Sequence, residues 1–255
     1  MCLRYYHRNQ ANLGDSTRNI CDALASGTVT RAFIEILENF LQDRPVRSAS
    51  DMNESVFQAI IEAIFVETGP CLPELCLVVD PTKERGDGRY GFIDLFLATK
   101  SDAFVSHLPV LELKNVSLKA LWNATQSTPS HIDPPTDQLN NLQTVLIKES
   151  EEEIMSRDYC YWDKDCCAWC RQSLLLLKDQ AVQQVGRYLD ALCQGGVTES
   201  TAGLHDRRVG CRIGNDVLVG YVVLCIGATR VLAWKANSRE TKFKYIPLTT
   251  QLCGP

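Results

Sequence analysis

The sequence predicts an α/β fold: a mixed central sheet of about four to five strands flanked by helices. Three observations predict it. Apolar residues recur at helical spacing up to residue 68. Three short apolar runs follow between residues 75 and 116. A long helical pattern then precedes a closing strand pair.

Residues 1–50 read as a helical N-terminal extension. Asn19 to Leu24 belongs to its first helix. Its second spans about Thr30 to Leu41, with Phe33, Ile36, Leu37 and Phe40 on one stripe and Asp43-Arg44-Pro45 after it. Ser50-Asp51 offers an N-cap for a long amphipathic helix over Asp51 to Thr68, stopped by Gly69-Pro70. Leu75 to Val79, Tyr90 to Ala98 and Leu108 to Val116 read as a strand meander. Gly86-Asp87-Gly88 marks the first turn, and the polar stretch Thr99 to His107 makes the second connection. Residues 117–172 are the least regular: a proline-rich loop, then a helix from Gln138 to Ser156 whose solvated end is the acidic run Glu149 to Glu153. A helix over Gln172 to Leu192 ends at Gly195-Gly196. Residues 197–208 read as a loop. Val217 to Ile226 and Arg230 to Lys235 close the chain as strands around Gly227-Ala228. The division is therefore an extension, 1–50, and a main domain, 51–255, with an insertion at about 117–172.

Composition narrows the function classes. The 255 residues hold 26 Lys+Arg against 31 Asp+Glu, a net charge of −5, so any nucleic-acid contact must come from a local patch. No apolar stretch is long enough for a membrane span, and the start, Met1 to Gly14, lacks a signal-peptide core. The expected location is intracellular, in cytoplasm or nucleus. The twelve cysteines are then expected as reduced thiols, and the Asn-x-Ser/Thr triplets at Asn53, Asn115 and Asn123 as chance matches.

The chemistry is concentrated in Arg89 to Leu97 and Pro109 to Asn115. Alternation puts Ile93, Leu95 and Leu97 on one face of a central strand, with Phe92, Asp94 and Phe96 on the other. A carboxylate in such a strand needs a partner. The next strand supplies one, because Val110, Glu112 and Lys114 share a face. If the strands are neighbours, Asp94 and Glu112 converge with Lys114 beside them. Paired carboxylates suit Mg²⁺ or Mn²⁺, and such an ion acidifies its water and stabilises a phosphoryl oxygen.

The order of these residues resembles the PD-(D/E)XK nuclease-like superfamily, closest to the nuclease-like domain associated with AAA-ATPase-like proteins and to its fungal relatives. The likeness spans about residues 30 to 235. It rests on Asn53-Glu54-Ser55-Val56-Phe57-Gln58, on Gly88-Arg89-Tyr90-Gly91-Phe92-Ile93-Asp94, on Glu112-Leu113-Lys114 and on Ala181-Val182-Gln183-Gln184-Val185. It extends to the closing strands, Gly214 to Tyr221 and Arg230 to Trp234. The resemblance implies a restriction-endonuclease-like core and a Mg²⁺-dependent nuclease, with DNA favoured over RNA. Asp94 and Glu112 would be metal ligands and Lys114 the catalytic lysine. Glu54 would be an accessory acid of the first helix, and Gln184, with Tyr188 one turn on, would line the site. It also implies an AAA-ATPase-like partner. The chain departs from the family in its long segment 117–172 and in the stretched spacing between Arg89 and Asp94.

Simpler readings stand beside each of these. Glu54 suits a helix dipole, Asp94 a solvated edge strand, and Glu112 with Lys114 an exposed strand pair. Gln180, Gln184 and Arg187 suit the wet side of a helix. The alternative function is an inactive nuclease-like module that binds nucleic acid or a protein partner, and a third is an interaction domain using the Cys/Trp segment. Cys160, Cys166, Cys167 and Cys170, with His131 upstream, invite a zinc reading. Only Cys167-x2-Cys170 has ligand spacing, and packing beside Trp162 and Trp169 explains the cysteines as well.

Overall fold

The computed structural model describes residues 18–42, 44–65, 71–98, 106–198 and 200–248. The expected start Met1 to Gly14, the Gly69-Pro70 stop and most of the 99–107 connection lie outside them. Among the described residues no helix is long and apolar enough to cross a membrane.

The chain begins with α1 (18–25), α2 (Arg31–Gln42), the short α3 (Val46–Ala49) and α4 (Glu54–Phe65). The meander follows as β1 (Cys71–Val78), β2 (Tyr90–Leu97) and β3 (His107–Val116). Next come α5 (Leu118–Thr125), α6 (Thr136–Lys148), α7 (Glu151–Met155) and a hairpin of β4 (Asp158–Asp163) and β5 (Ala168–Ser173). The last elements are α8 (Leu174–Leu192), β6 (Gly203–Leu204), β7 (Val209–Ile226) and β8 (Arg230–Pro247).

The main sheet has six strands in the order β6-β1-β2-β3-β7-β8, parallel between β3 and β7 and antiparallel elsewhere. The additional strand is β6, two residues from a segment that reads as a polar loop. So brief a strand has no periodicity to betray it. Strands β7 and β8 run far beyond their apolar centres, and a bulge between Ile213 and Asp216 sits in the extension. Asp216 is buried there and accepts the backbone N–H groups of Ser106 and Tyr245 at 3.2 and 2.9 Å. A buried carboxylate thus replaces ladder carbonyls where the register slips.

Helices cover both faces. On one, Phe57, Ile61 and Phe65 of α4 join Phe33 and Leu37 of α2, Leu24 of α1 and Leu95, Leu111 and Leu113 of the sheet in one core. The N-terminal helices are therefore built into that core. On the other face α8 presents Ala181, Val185, Tyr188 and Leu189 to Phe96, Val110 and Val222. Gly220 makes this contact possible, since a Cβ there would collide with Val185 Cγ1. A third core joins α5–α7 and β4 to the end of the sheet through Val116, Leu224 and Ile226. The insertion is thus packed onto the main sheet, in a core that it shares with β3, β7 and β8.

Two helix starts differ from expectation. Asn53, not Ser50 or Asp51, caps α4, accepting the Val56 N–H at 3.0 Å. The predicted helix over Gln138 to Ser156 is two helices, because Glu149 is extended and Ser150 opens α7 with a capping box to Glu153. The acidic run is consequently a helix beginning rather than an end, where the dipole favours it.

Candidate active site

The site is made where β2 and β3 part. Their ladder consists of Leu95 with Leu111 and Phe96 with Val110. One residue further along, Asp94 Oδ2 accepts the Leu113 backbone N–H at 2.6 Å. The carboxylate takes the place of a strand carbonyl and stands beside Glu112. The freed Asp94 carbonyl accepts the Gln58 side chain of α4 at 3.3 Å.

Strict alternation fails at the same point. Ile93 packs with Phe96 in the α8 core, whereas Leu95 and Leu97 belong to the opposite core. The phase reverses around Asp94, across from Glu74, whose φ is +51°. Ile93 therefore does not share the face of Leu95 and Leu97. The reversal lets apolar neighbours on both sides stay buried while Asp94 faces the gap.

Four of the expected residues gather here. Lys114 Nζ lies 2.6 Å from Glu112 Oε1 and 3.7 Å from Glu54 Oε2. Glu112 is 1 % exposed, and its second oxygen, Oε2, has no hydrogen-bond partner. Glu54 is the first residue of α4, so the helix start aims it at the strand ends.

Burial dominates the electrostatics. It raises the Asp94 carboxyl to about 6, against the opposing pull of the Leu113 N–H and Lys114. Burial and then the charge of Asp94 push Glu112 up to about 8. Burial likewise raises Glu54, in spite of Lys114. For Lys114, burial disfavours the charge, but Glu112, Glu54 and Asp94 outweigh it and the ammonium is held above its ordinary range. Three carboxyl groups thus surround one cation.

Gln184 meets the site through Tyr188, the residue expected one turn on. Its amide donates to the Tyr188 hydroxyl at 2.7 Å. It is Tyr188 whose phenol feels Glu112 and Asp94, being raised by burial and then by the Glu112 charge. Tyr188 thus stands between Gln184 and the acids. Gly91 admits its ring, since a Cβ there would lie 2.6 Å from Tyr188 Cε1. Gln180 and Arg187 lie with Gln184 and Asp190 along an open groove on α8. Arg89 is remote in role: its guanidinium donates to the carbonyls of Pro81 and Lys83 and braces the first turn.

Sequence reasoning missed Glu74 and Tyr159. Glu74 adds negative charge to Glu54 and Asp94, and Tyr159 of β4 feels Lys114. Neither sits in a motif. Only the β1–β2 pairing and the insertion bring them near.

The donor set fits a hard divalent cation. It offers carboxylate oxygens from Asp94 and Glu112, an unpartnered buried Glu112 oxygen, and acids whose ionisation is opposed until positive charge arrives. Comparison with known proteins adds no relative: no family model, no curated protein and no solved structure matches the chain.

Proposed function

We propose that the chain is a metal-dependent nuclease with a restriction-endonuclease-like core, hydrolysing phosphodiester bonds, with DNA favoured as substrate by the resemblance described above. The observation that carries this reading is the buried Glu112 oxygen without a partner, beside Asp94 and within the reach of Lys114. Asp94 and Glu112 would hold Mg²⁺ or Mn²⁺, which supplies Lewis acidity toward a phosphoryl oxygen and acidifies bound water.

The chain's own residues have separate tasks. Lys114 holds Glu112 Oε1 and offers its remaining N–H donors to an attacking water or a phosphate oxygen. Glu54, 3.7 Å away, keeps that ammonium charged and directed into the gap. Tyr188 presents a hydroxyl toward the acids, fixed by Gln184. The rigid strands keep these groups in place, and the attack is in line with the departing oxygen.

The same geometry suits a silent module in one respect: Asp94 and Lys114 both have structural partners already. An assay decides between them. Cleavage of single- and double-stranded DNA and RNA is measured with Mg²⁺ or Mn²⁺, beside Glu112→Ala and Lys114→Ala. Metal-dependent cleavage lost in both variants, with their folds intact, supports the nuclease and names its substrate. No cleavage in the wild type, together with no metal binding by calorimetry, sinks it and leaves a module that binds nucleic acid or an ATPase-like partner.

A further inference from the structure

A second set of ligating side chains lies at the tip of the β4–β5 hairpin, in the insertion. The ladder pairs Tyr161 with Cys170 and Asp163 with Ala168, so Asp163 and Cys170 are diagonal neighbours on one face of the ribbon. The turn brings a third group onto that face. Asp163 Oδ1 accepts the backbone N–H groups of Asp165 at 2.8 Å and Cys166 at 3.3 Å, which folds Cys166 back over the strands. An Asp163 oxygen and the sulfurs of Cys166 and Cys170 then stand within 4.8 Å of one another.

Both thiols are free, with Cys166 exposed and Cys170 partly so. Cys167 is turned away, with φ of +50° and its thiol donating to the Lys164 carbonyl at 3.4 Å. His131 is also elsewhere. Its ring lies 5.2 and 4.8 Å from those of Trp162 and Trp169. The pair that converges is therefore Cys166 and Cys170, joined by Asp163, and not the Cys167-x2-Cys170 pair that spacing alone singles out.

We propose that Asp163, Cys166 and Cys170 bind a thiophilic divalent cation of the zinc class. Two thiolates and a carboxylate are a borderline-soft donor set, which selects such an ion over Mg²⁺. On binding, each thiol releases its proton to solvent and two metal–sulfur bonds and one metal–oxygen bond form, with no change of oxidation state. Tetrahedral zinc with bonds of about 2.3 Å holds its sulfurs roughly 3.8 Å apart, a separation compatible with ligand atoms that lie within 4.8 Å of one another. With three protein ligands, a fourth position would be left for water. The ion would clamp the turn onto β5. The proposal does not rest on the nuclease reading, because the ligands and the cation differ.

The test is a Co²⁺ titration of the full chain under reducing conditions, followed by Zn²⁺ competition. Expected is a thiolate-to-cobalt charge-transfer band saturating at one equivalent and bleached by Zn²⁺. Cys166→Ser and Cys170→Ser each weaken Zn²⁺ binding by at least about ten-fold, and Cys167→Ser leaves it unchanged. Absence of the band in the wild type would overturn the site, as would its persistence in the Cys166→Ser/Cys170→Ser double variant. Recovery of a Cys166–Cys170 disulfide from protein kept under reductant would do the same. The band reports sulfur ligation, so Mg²⁺ at the carboxylates and the cleavage assay do not affect it.

Discussion

The Asp94 carboxylate and the Leu113 backbone N–H are joined at 2.6 Å, across the point where β2 and β3 cease to pair. One oxygen of Asp94 thus closes the ladder, and the residue serves the fold as well as the proposed chemistry. Two substitutions separate these roles. In Asp94→Asn the amide oxygen can still accept from Leu113, so stability in urea should stay within about 1 kcal/mol of wild type. In Asp94→Ala a buried N–H is left unpaired, at a cost of about 1–3 kcal/mol. Both variants should lose Mn²⁺ binding by calorimetry and cleavage with it. Retention of tight Mn²⁺ binding in Asp94→Asn would remove Asp94 from the ligand set.

Stability should depend on pH through the same cluster. Asp94 and Glu112 have folded-state values raised to about 6 and about 8, so the folded chain binds more protons than the unfolded one in this range. Their contribution is fully present below the ordinary carboxylate range and is lost as pH rises through those values. The melting temperature of metal-free protein should therefore decline from about pH 5 to about pH 9 on their account. Mg²⁺ favours the ionised acids, so the stabilisation it gives should grow with pH. Thermal melts with and without Mg²⁺ check this against an Asp94→Asn/Glu112→Gln variant, in which the decline and the Mg²⁺ increment should both flatten.

How far the sequence is legible depends on the length of the pattern that each feature writes. The meander, α2, α4 and α8 have enough apolar repeats to be placed within a few residues. Glu54, Asp94, Glu112 and Lys114 are legible as a group because two of them interrupt apolar strands, where a charge needs a reason. Gln184 and Tyr188 are legible together from their one-turn spacing on one helix, but the order in which they stand, with Gln184 bonded to the Tyr188 hydroxyl, is not. The phase reversal at Asp94 is invisible for a physical reason: both faces of β2 are apolar, so a one-residue slip leaves no trace in hydrophobicity. The ends of β7 and β8 are similarly silent. Beyond the expected strand end at Lys235, β8 bears Arg239, Lys242 and Lys244, charges suited to an exposed edge and easily taken for a loop.

The acidic run Glu149 to Glu153 is ambiguous in the same way, and its resolution is testable. Ser150 accepts the Glu153 N–H at 3.3 Å, and Glu153 Oε2 accepts the Ser150 N–H at 2.8 Å. Ser150→Ala should cost about 1 kcal/mol in urea unfolding, and Glu153→Gln less, because glutamine can still close the box. A neutral Ser150→Ala would mean that α7 is held by Ile154 and Met155 alone, both buried in the third core.

Gly91 gives the sharpest separation between building the site and binding the proposed metal. A Cβ at this position would meet both Tyr188 Cε1 and Val79 Cγ2 at 2.6 Å. The ring cannot yield easily, because Tyr188 is 7 % exposed and its hydroxyl is held by Gln184. Gly91→Ala should therefore destabilise the chain by about 1–3 kcal/mol through overpacking. The displaced ring would also leave its place beside Glu112. Asp94 and Glu112 are fixed by strand pairing and by the Leu113 N–H rather than by the ring, so Mn²⁺ affinity should change little while cleavage falls. Shrinking the ring tests the cause. In Gly91→Ala/Tyr188→Leu the clash is relieved and stability should recover in part, a coupling that a double-mutant cycle measures directly. Activity should not recover, since the hydroxyl is gone. Full recovery of cleavage in the double variant would mean that Tyr188 only fills space, and that Gln184 and α8 contribute packing to the site rather than chemistry.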